Sequence, residues 1–451
     1  MGSLDLDKSP LTPLAQQLCL SPTLQINELV HKKQAEGHRV VHLGFGEATF
    51  PIAEHVLKAH REASEETSYQ PVAGLMKLRE SIARNQARRL NVAIRPDQVV
   101  VAPGSKPLLF ALFDILQGDV LLPRPSWVSY EPQVMHAGKK LFWVETDEHD
   151  RHSISFSAMQ SALDRAVQEG ANPRVMLINS PSNPTGQAFT KANLELIAEF
   201  CRDHGIALIS DDIYADICFS NEYSASACSG PSFNEGRKIL TGGLSKTYSA
   251  GGWRIGFAIF PDNEFGATVQ QTMLAYASEC WSAASAPAQE AAAVAFSTSP
   301  EMDLYRKQVV ELHRRCTTTL FHALQECGLA IAEPKGSFYL YPSFHPYTAQ
   351  LEKLGVKTSL DLSRWLIEEF GIAALPGSAF GEDDCGLPGG RYRLRMATSY
   401  LYFQSKDDRY AQGYSLLHKA LDPESRIELP LLGDAISMIQ AAVEKLKAIK
   451  T

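Results

Sequence analysis

The sequence predicts an α/β protein with two parts: a large domain built on a mostly parallel sheet sandwiched by helices, and a smaller α+β domain. Three observations predict it. Two continuous apolar runs, Val175-Met176-Leu177-Ile178 and Ile206-Ala207-Leu208-Ile209, bracket a helical stretch at 191–204; such runs read as parallel strands buried on both faces. Beyond about residue 302 the alternation gives way to a long helical stretch followed by isolated short strands. A chain of 451 residues, 45% hydrophobic and 21% charged, is large enough for one large or two ordinary domains.

The elements follow in order. Residues 14–33 and 53–66 are helix-compatible and flank Val40-Val41-His42-Leu43-Gly44. Over 71–90, Leu75, Leu78 and Ile82 recur at spacings of three and four, the signature of an amphipathic helix. Val99-Val100-Val101 leads through a glycine-containing turn into a helical run at 107–116, and 120–122 is another short strand. Residues 239–240 and 255–260 continue the series. Later come a strand at 337–340, a helix across 360–370, a strand at 392–396, and a last helix with Ile436, Ile439, Val443 and Leu446 on one face. The expected organisation is an N-terminal arm with part of the small domain at 1–54, the large domain at 55–305 and a small C-terminal domain at 306–451. Residues 400–430, rich in tyrosine and charge, look like an insertion and carry no readable motif.

Composition narrows the function. Lys+Arg 43 against Asp+Glu 51 leaves −8, which argues against nucleic acid or an anionic membrane as partner. No apolar run approaches the roughly 18 residues needed to span a bilayer. Residues 1–10, with Asp5, Asp7 and Lys8, lack a basic-then-apolar signal layout, so a cytoplasmic protein is expected. Cys19, Cys201, Cys218, Cys228, Cys280, Cys316, Cys327 and Cys385 include no C-x-x-C pair, and the 13 histidines no H-E-x-x-H. Neither a disulfide framework nor a metal site is expected.

Four clusters fall at the ends of predicted strands, where open α/β sheets place their ligands. Pro103-Gly104-Ser105-Lys106 joins a strand to a helix, whose first N–H groups can meet an anion; strand–glycine–helix turns are also common without ligands. Asn179-Ser180-Pro181-Ser182-Asn183-Pro184-Thr185-Gly186 is an irregular loop that would present the Asn183 amide at the sheet edge, or a mere turn. Ser210-Asp211-Asp212-Ile213-Tyr214 puts a carboxylate at the end of a buried strand, where it needs a partner unless it caps a helix. The most specific cluster spans 242–256: Lys246 and Arg254 lie eight residues apart among five glycines, with Leu244, Tyr248, Trp253 and Ile255 in the same stretch. Those apolar residues fit poorly with a solvated loop.

In this order the clusters resemble the fold-type-I, pyridoxal-phosphate-dependent enzymes of the class I/II aminotransferase family, over roughly residues 40–400. Ser-Lys-Thr-Tyr-Ser-x-x-Gly-x-Arg-x-Gly at 245–256 is similar to the family's lysine signature. Tyr69-x-x-x-x-Gly74-x-x-x-Leu78-Arg79, the run at 376–381 and Arg393-Leu394-Arg395-Met396-Ala397 match further motifs. The resemblance implies pyridoxal 5'-phosphate as cofactor. Lys246 would join its aldehyde as an imine and then shuttle the proton, which needs a neutral amine of lowered pKa. Asp211 would pair with the ring nitrogen, and Asn183 and Tyr214 with the ring's phenolate oxygen. Arg254 would grip the phosphate, with Ser245, Ser105 and Lys106 completing the cup. Trp127, otherwise an ordinary core tryptophan, would stack on the ring.

Tyr69 matches a residue given to the neighbouring subunit's phosphate, so a homodimer with shared sites is implied. Gly46, Asn183 and Arg393 match the substrate-carboxylate end, with Arg395, two residues on and taken to face the other way, as fallback. No lysine or arginine occurs from 255 to 305. Aspartate-specific relatives take a second arginine from about there, so a dicarboxylic donor is not expected. The aromatic and small residues at 276–288, Trp281 included, suggest a neutral or aromatic side chain; Glu47 or Glu279 could instead meet a basic one. The expected activity is transfer of an L-amino acid's amino group to a 2-oxo acid. Elimination, cyclisation, condensation or amino-acid oxidation on the same fold is the alternative, and a catalytically silent binding protein a remoter one.

Overall fold

The computed structural model describes residues 10–11, 15–17, 22–384 and 392–450. Residues 1–9, Cys19 and Cys385, which carry some of the expectations above, lie outside the described residues, as does part of the 14–33 stretch. The strands begin with β1 (Val41–His42) and continue with β2 (Val99–Ala102), β3 (Asp119–Arg124), β4 (Leu141–Glu145), β5 (Pro173–Asn179), β6 (Ala207–Asp211), β7 (Lys238–Gly243) and β8 (Gly256–Ile259). One sheet takes seven of them in the order β2-β8-β7-β6-β5-β3-β4. Only β8 runs against its neighbours, so the other six share one direction.

The unbroken apolar runs follow from burial on both faces. Along β5, Val175 and Leu177 enter one core, shared with Leu108 and Leu112 of the helix Ser105–Ile115. Met176 and Ile178 enter the opposite core, with Met159 of the helix Phe156–Gln168 and Ile197 of the helix Lys191–Asp203. Successive side chains point to opposite faces, so a strand covered on both sides has no polar position to spare. Thr190 starts the 191–203 helix by accepting the Asn193 N–H.

The predicted 71–90 helix begins only at Met76. Gly74 sits at φ +95, where a Cβ would lie 2.6 Å from Val101 Cβ, and this turn holds the chain out of the helix.

Later strands are β9 (Tyr339–Leu340), β10 (Ile372–Ala373), β11 (Leu375–Pro376) and β12 (Leu394–Ala397). They form a small antiparallel sheet, β11-β12-β9, and a parallel pair, β1-β10, which joins the N-terminal arm to the C-terminal part. Behind them runs the helix Pro300–Glu326, packed on the helices Lys406–Ala420 and Pro430–Lys447. The 400–430 segment thus contains a helix that the sequence did not reveal. It buries only Gly413, Leu417 and Ala420, too sparse a stripe to stand out from its charges. Among the described residues no helix is long and apolar enough to cross a membrane, and no group of three or more His, Cys, Asp or Glu could hold a metal ion.

Ile209, fully buried at the centre of β6, tests the two-sided core. Ile209→Ala should lower unfolding stability by about 2–5 kcal/mol. Val167→Ala, at a 62% exposed position, should stay within about 0.5 kcal/mol by denaturant titration.

Candidate active site

Because six strands share one direction, β2, β5, β6 and β7 end at the same edge of the sheet, and the antiparallel β8 starts there. The four sequence clusters follow these ends, and a cavity of about 550 Å³ opens between them. Gly46, Ser105, Lys106, Trp127, Asn183, Asp211, Tyr214, Ser245, Lys246 and Arg254 all line it. Tyr69 and Arg393 do not.

Lys246 follows β7, and its amine donates to the Gly46 carbonyl. Its nitrogen lies 5.7 Å from the Tyr214 ring centre and 5.9 Å from that of Phe338. Loss of water, reinforced by the charges of Arg395 and Arg254 and opposed by Glu47 and Asp211, brings its pKa from 10.5 to about 8. A Cβ on Gly46 would collide with the Tyr339 hydroxyl, so a side chain there would have to displace that ring.

Asp211 ends β6 and is followed by a turn, so it caps no helix. Its Oδ2 accepts from Tyr130 Oη at 2.7 Å and its Oδ1 from Thr241 Oγ1 at 3.2 Å. Burial raises its pKa to about 6, helped by the adjacent Asp212 charge and opposed by those two hydrogen bonds. Asp212 points elsewhere: it takes Arg89 Nη2 at 2.7 Å and the Ser210 hydroxyl at 2.6 Å.

At the opposite end the helix Ser105–Ile115 starts without a side-chain cap, leaving its first N–H groups open to an anion. Lys106 lies over the Trp127 ring at 5.0 Å. Burial and the charge of Arg254 lower its pKa, and no ion pair holds it among the described residues. Gly104 and Gly256 make room: a Cβ on Gly104 would strike the Arg254 guanidinium, and one on Gly256 the Ser105 amide.

The structure corrects the choice of arginine. Arg393 is turned from the cavity into ion pairs with Glu382, at 2.7 Å, and Glu148. Arg395 lines the cavity, donating to Asn183 Oδ1 at 3.1 Å and the Gly44 carbonyl at 2.7 Å, and its Nε has no hydrogen-bond partner among the described residues. Its guanidinium lies over the rings of Tyr339 and Phe380, 4.7 and 5.1 Å away, and burial lowers its pKa. Nor do the two arginines face oppositely. Arg393 lies over Tyr341 and Arg395 over Tyr339, so both share one face, as a spacing of two along a strand requires. They differ in depth.

Residues 276–288 are also absent from this chain's cavity, so its apolar wall comes instead from Leu24, Phe45, Val128 and Ile213. Glu47 lines the cavity and accepts the Tyr400 hydroxyl at 2.6 Å; Glu279 is exposed and does not line it. Tyr130, Thr241 and Tyr339 were missed as site residues. Thr241 stands beside Asp211 in the β6–β7 register, and Tyr339 meets Tyr214 Oη at 2.7 Å. Tyr130 belongs to the Trp127 run already singled out, and that proximity was the only available signal.

The donor set fits pyridoxal 5'-phosphate. Two facing cations at an open helix start suit a phosphate dianion, the buried Asp211 suits a protonated ring nitrogen, and the Lys246 amine suits an aldehyde.

Comparison with known proteins agrees. The family model for aminotransferases of class I and II matches residues 38–399. The chain is 33% identical over 384 residues to an aspartate aminotransferase of Geobacillus stearothermophilus, covering 84% of this chain and 92% of that one. It is 30% identical over 385 residues to aromatic-amino-acid aminotransferase 2 of Thermococcus litoralis, covering 82% and 90%. Among solved structures, the aspartate aminotransferase of Thermus thermophilus with maleate superposes with TM-score 0.76 at 26% identity, covering 92% of this chain and 100% of that one.

Two outcomes are expected. Acylation of Lys246 in the apoprotein, followed by mass spectrometry, should rise with a midpoint near pH 8, because only the neutral amine reacts and its fraction grows as pH passes the pKa. A midpoint at the ordinary lysine value would exclude the lowered pKa. Gly256→Ala should weaken cofactor retention by about tenfold or more in equilibrium dialysis, since the added methyl displaces the Ser105 amide.

Proposed function

The chain belongs to the class I and II aminotransferases, and we propose that it takes a neutral or aromatic L-amino acid as donor, with Lys246, Asp211 and Arg395 meeting substrate and cofactor. One observation carries this reading: a single cavity holds a desolvated amine, a buried carboxylate and a guanidinium with a free Nε.

When bound, pyridoxal 5'-phosphate supplies an aldehyde that takes up the amino group and an electron-poor ring that accepts the electron pair from the neighbouring carbon. The chain's own groups do the rest. Ser105, Lys106, Ser245 and Arg254 hold the phosphate, and Trp127 covers the ring. Asp211, whose carboxyl has a pKa of about 6 with no cation beside it, is drawn to its ionised form by a protonated ring nitrogen. Asn183 and Tyr214 hydrogen-bond the ring oxygen. Arg395 would take the substrate α-carboxylate and turn the α-hydrogen toward Lys246, whose neutral amine would remove that proton and deliver it across the nitrogen, to the carbon that had carried the aldehyde oxygen. Tyr69, 98% exposed in its own chain, reaches the partner's phosphate in a homodimer.

The donor class rests on what remains at the mouth. The cations that line the cavity, Arg395, Lys106, Arg254 and Lys246, all have tasks, Glu47 is held by Tyr400, and Leu24, Phe45, Val128 and Ile213 supply apolar wall. A dicarboxylic donor is the second reading, favoured by the relatives named aspartate aminotransferase.

Incubating the holoenzyme with single L-amino acids and following the cofactor absorbance decides between them. L-phenylalanine should react faster than L-aspartate; the reverse order selects the second reading. Lys246→Ala should cut turnover at least about a thousandfold. Arg395→Ala should raise the donor KM by about tenfold to a hundredfold with cofactor retained. Arg393→Ala should lower the melting temperature and leave KM within about threefold. Equal KM effects at both arginines would overturn the assignment.

A further inference from the structure

The functional reading assigns nothing to residues 400–430, and the family match stops at residue 399. Yet the helix Lys406–Ala420 packs on residues 50–52, the far end of the segment 44–52, whose Phe45, Gly46 and Glu47 line the cavity. This wall segment has no helix or strand of its own. Its inner side contributes two backbone carbonyls: Gly44 accepts Arg395 and Gly46 accepts Lys246. Its position therefore sets where both cations sit, and it is held by side-chain bonds and burial: Thr49 Oγ1 donates to the Ser399 carbonyl, Tyr305 Oη donates to the Pro51 carbonyl at 2.9 Å, and Phe50 is fully buried.

Three further side chains come from just beyond the family match. Tyr400 Oη donates to Glu47 Oε2, and Tyr414 Oη donates to the Ile52 carbonyl at 2.7 Å. Arg409 Nε donates to the Phe50 carbonyl at 2.8 Å. Gly413 permits the approach, because a Cβ there would lie 2.5 Å from Pro51 Cδ.

Arg409 also makes a second connection. Its Nη2 donates to Ser249 Oγ at 2.8 Å, three residues past Lys246, and Ser249 Oγ donates onward to the Ala48 carbonyl at 2.8 Å. Ser249 holds φ +53, a conformation that a residue with a side chain adopts only when its surroundings stabilise it. The two ends of one planar guanidinium thus bind the wall and the lysine's own turn, a geometry that an ammonium cannot fully reproduce.

We propose that Arg409 is a positioning residue for the active site: by bonding Phe50 and Ser249 together it fixes the 44–52 wall, and with it Gly44 and Gly46, against the loop that carries Lys246. This rests on the roles given to Lys246 and Arg395 above. The wall orients the substrate grip more than it touches the phosphate cup, so its loosening acts on donor affinity.

The test compares full-length wild type, Arg409→Ala, Arg409→Lys and Ser249→Ala. In the apoproteins, amide hydrogen exchange over 47–52 should be faster in Arg409→Ala than in wild type. In the holoenzymes, with L-phenylalanine and L-aspartate as donors, Arg409→Ala should raise KM about tenfold with kcat within about threefold and the cofactor retained. Arg409→Lys should recover part of that loss, and Ser249→Ala, which cuts one end of the bridge, should show a smaller rise. Ser249→Ala keeps the proposal testable if Arg409→Ala does not fold. Unchanged exchange, or a fall in melting temperature with KM unchanged in both alanine variants, would overturn it. Failure of the functional reading itself would show separately, as a wild-type chromophore that no amino donor alters.

Discussion

Keeping one amine out of water, within reach of two guanidinium groups, is the condition on which the rest of this site depends. An exposed lysine is almost wholly protonated at neutral pH and can neither attack a carbonyl nor accept a proton. Around Lys246 the balance is moved chiefly by desolvation, and the charges of Arg395 and Arg254 add to it. The amine keeps a backbone carbonyl, that of Gly46, as its acceptor, and among the described residues no carboxylate salt bridge restores its charge. The same burial acts on Asp211 in the opposite sense, lifting its pKa until a cation arrives beside it. Burial around one cavity therefore poises an amine and a carboxylate for different tasks.

The sheet makes this convergence possible. Lys246 is separated from Asp211 by 35 positions and from Ser105 by 141 in the sequence, but parallel strands bring their C-terminal ends to one edge. The single reversed strand, β8, adds Arg254 at its start, beside the opening turn of the helix Ser105–Ile115. Two glycines there, Gly104 and Gly256, are required by contact: the guanidinium and the helix amide occupy the space that side chains would fill.

The fold was legible because its signals are local. A strand buried on both faces must be apolar throughout, and the runs at 175–178 and 206–209 were so. Loop residues forced by proline and glycine were legible for the same reason. What escaped depended on neighbours distant in the chain. The register that sets Thr241 beside Asp211 has no trace in either segment alone. Arg393 and Arg395 share a strand face, and only the depth of the cavity and the acids Glu148 and Glu382 separate them. The weakly amphipathic helix at 406–420 owes its place to packing on the long helix Pro300–Glu326, not to a pattern of its own.

The order of amino acids by itself determined the alternation of strands and helices, the positions of the ligand-facing loops, and the chemical types available there: one lysine, one carboxylate and a cationic cup. The tertiary structure alone decided which arginine faces the cavity, how far Lys246 and Asp211 are shifted, and what holds the 44–52 wall. The physical reason is that side-chain type and backbone preference are properties of a residue and its immediate neighbours, whereas desolvation and charge coupling depend on groups that meet only when distant segments pack.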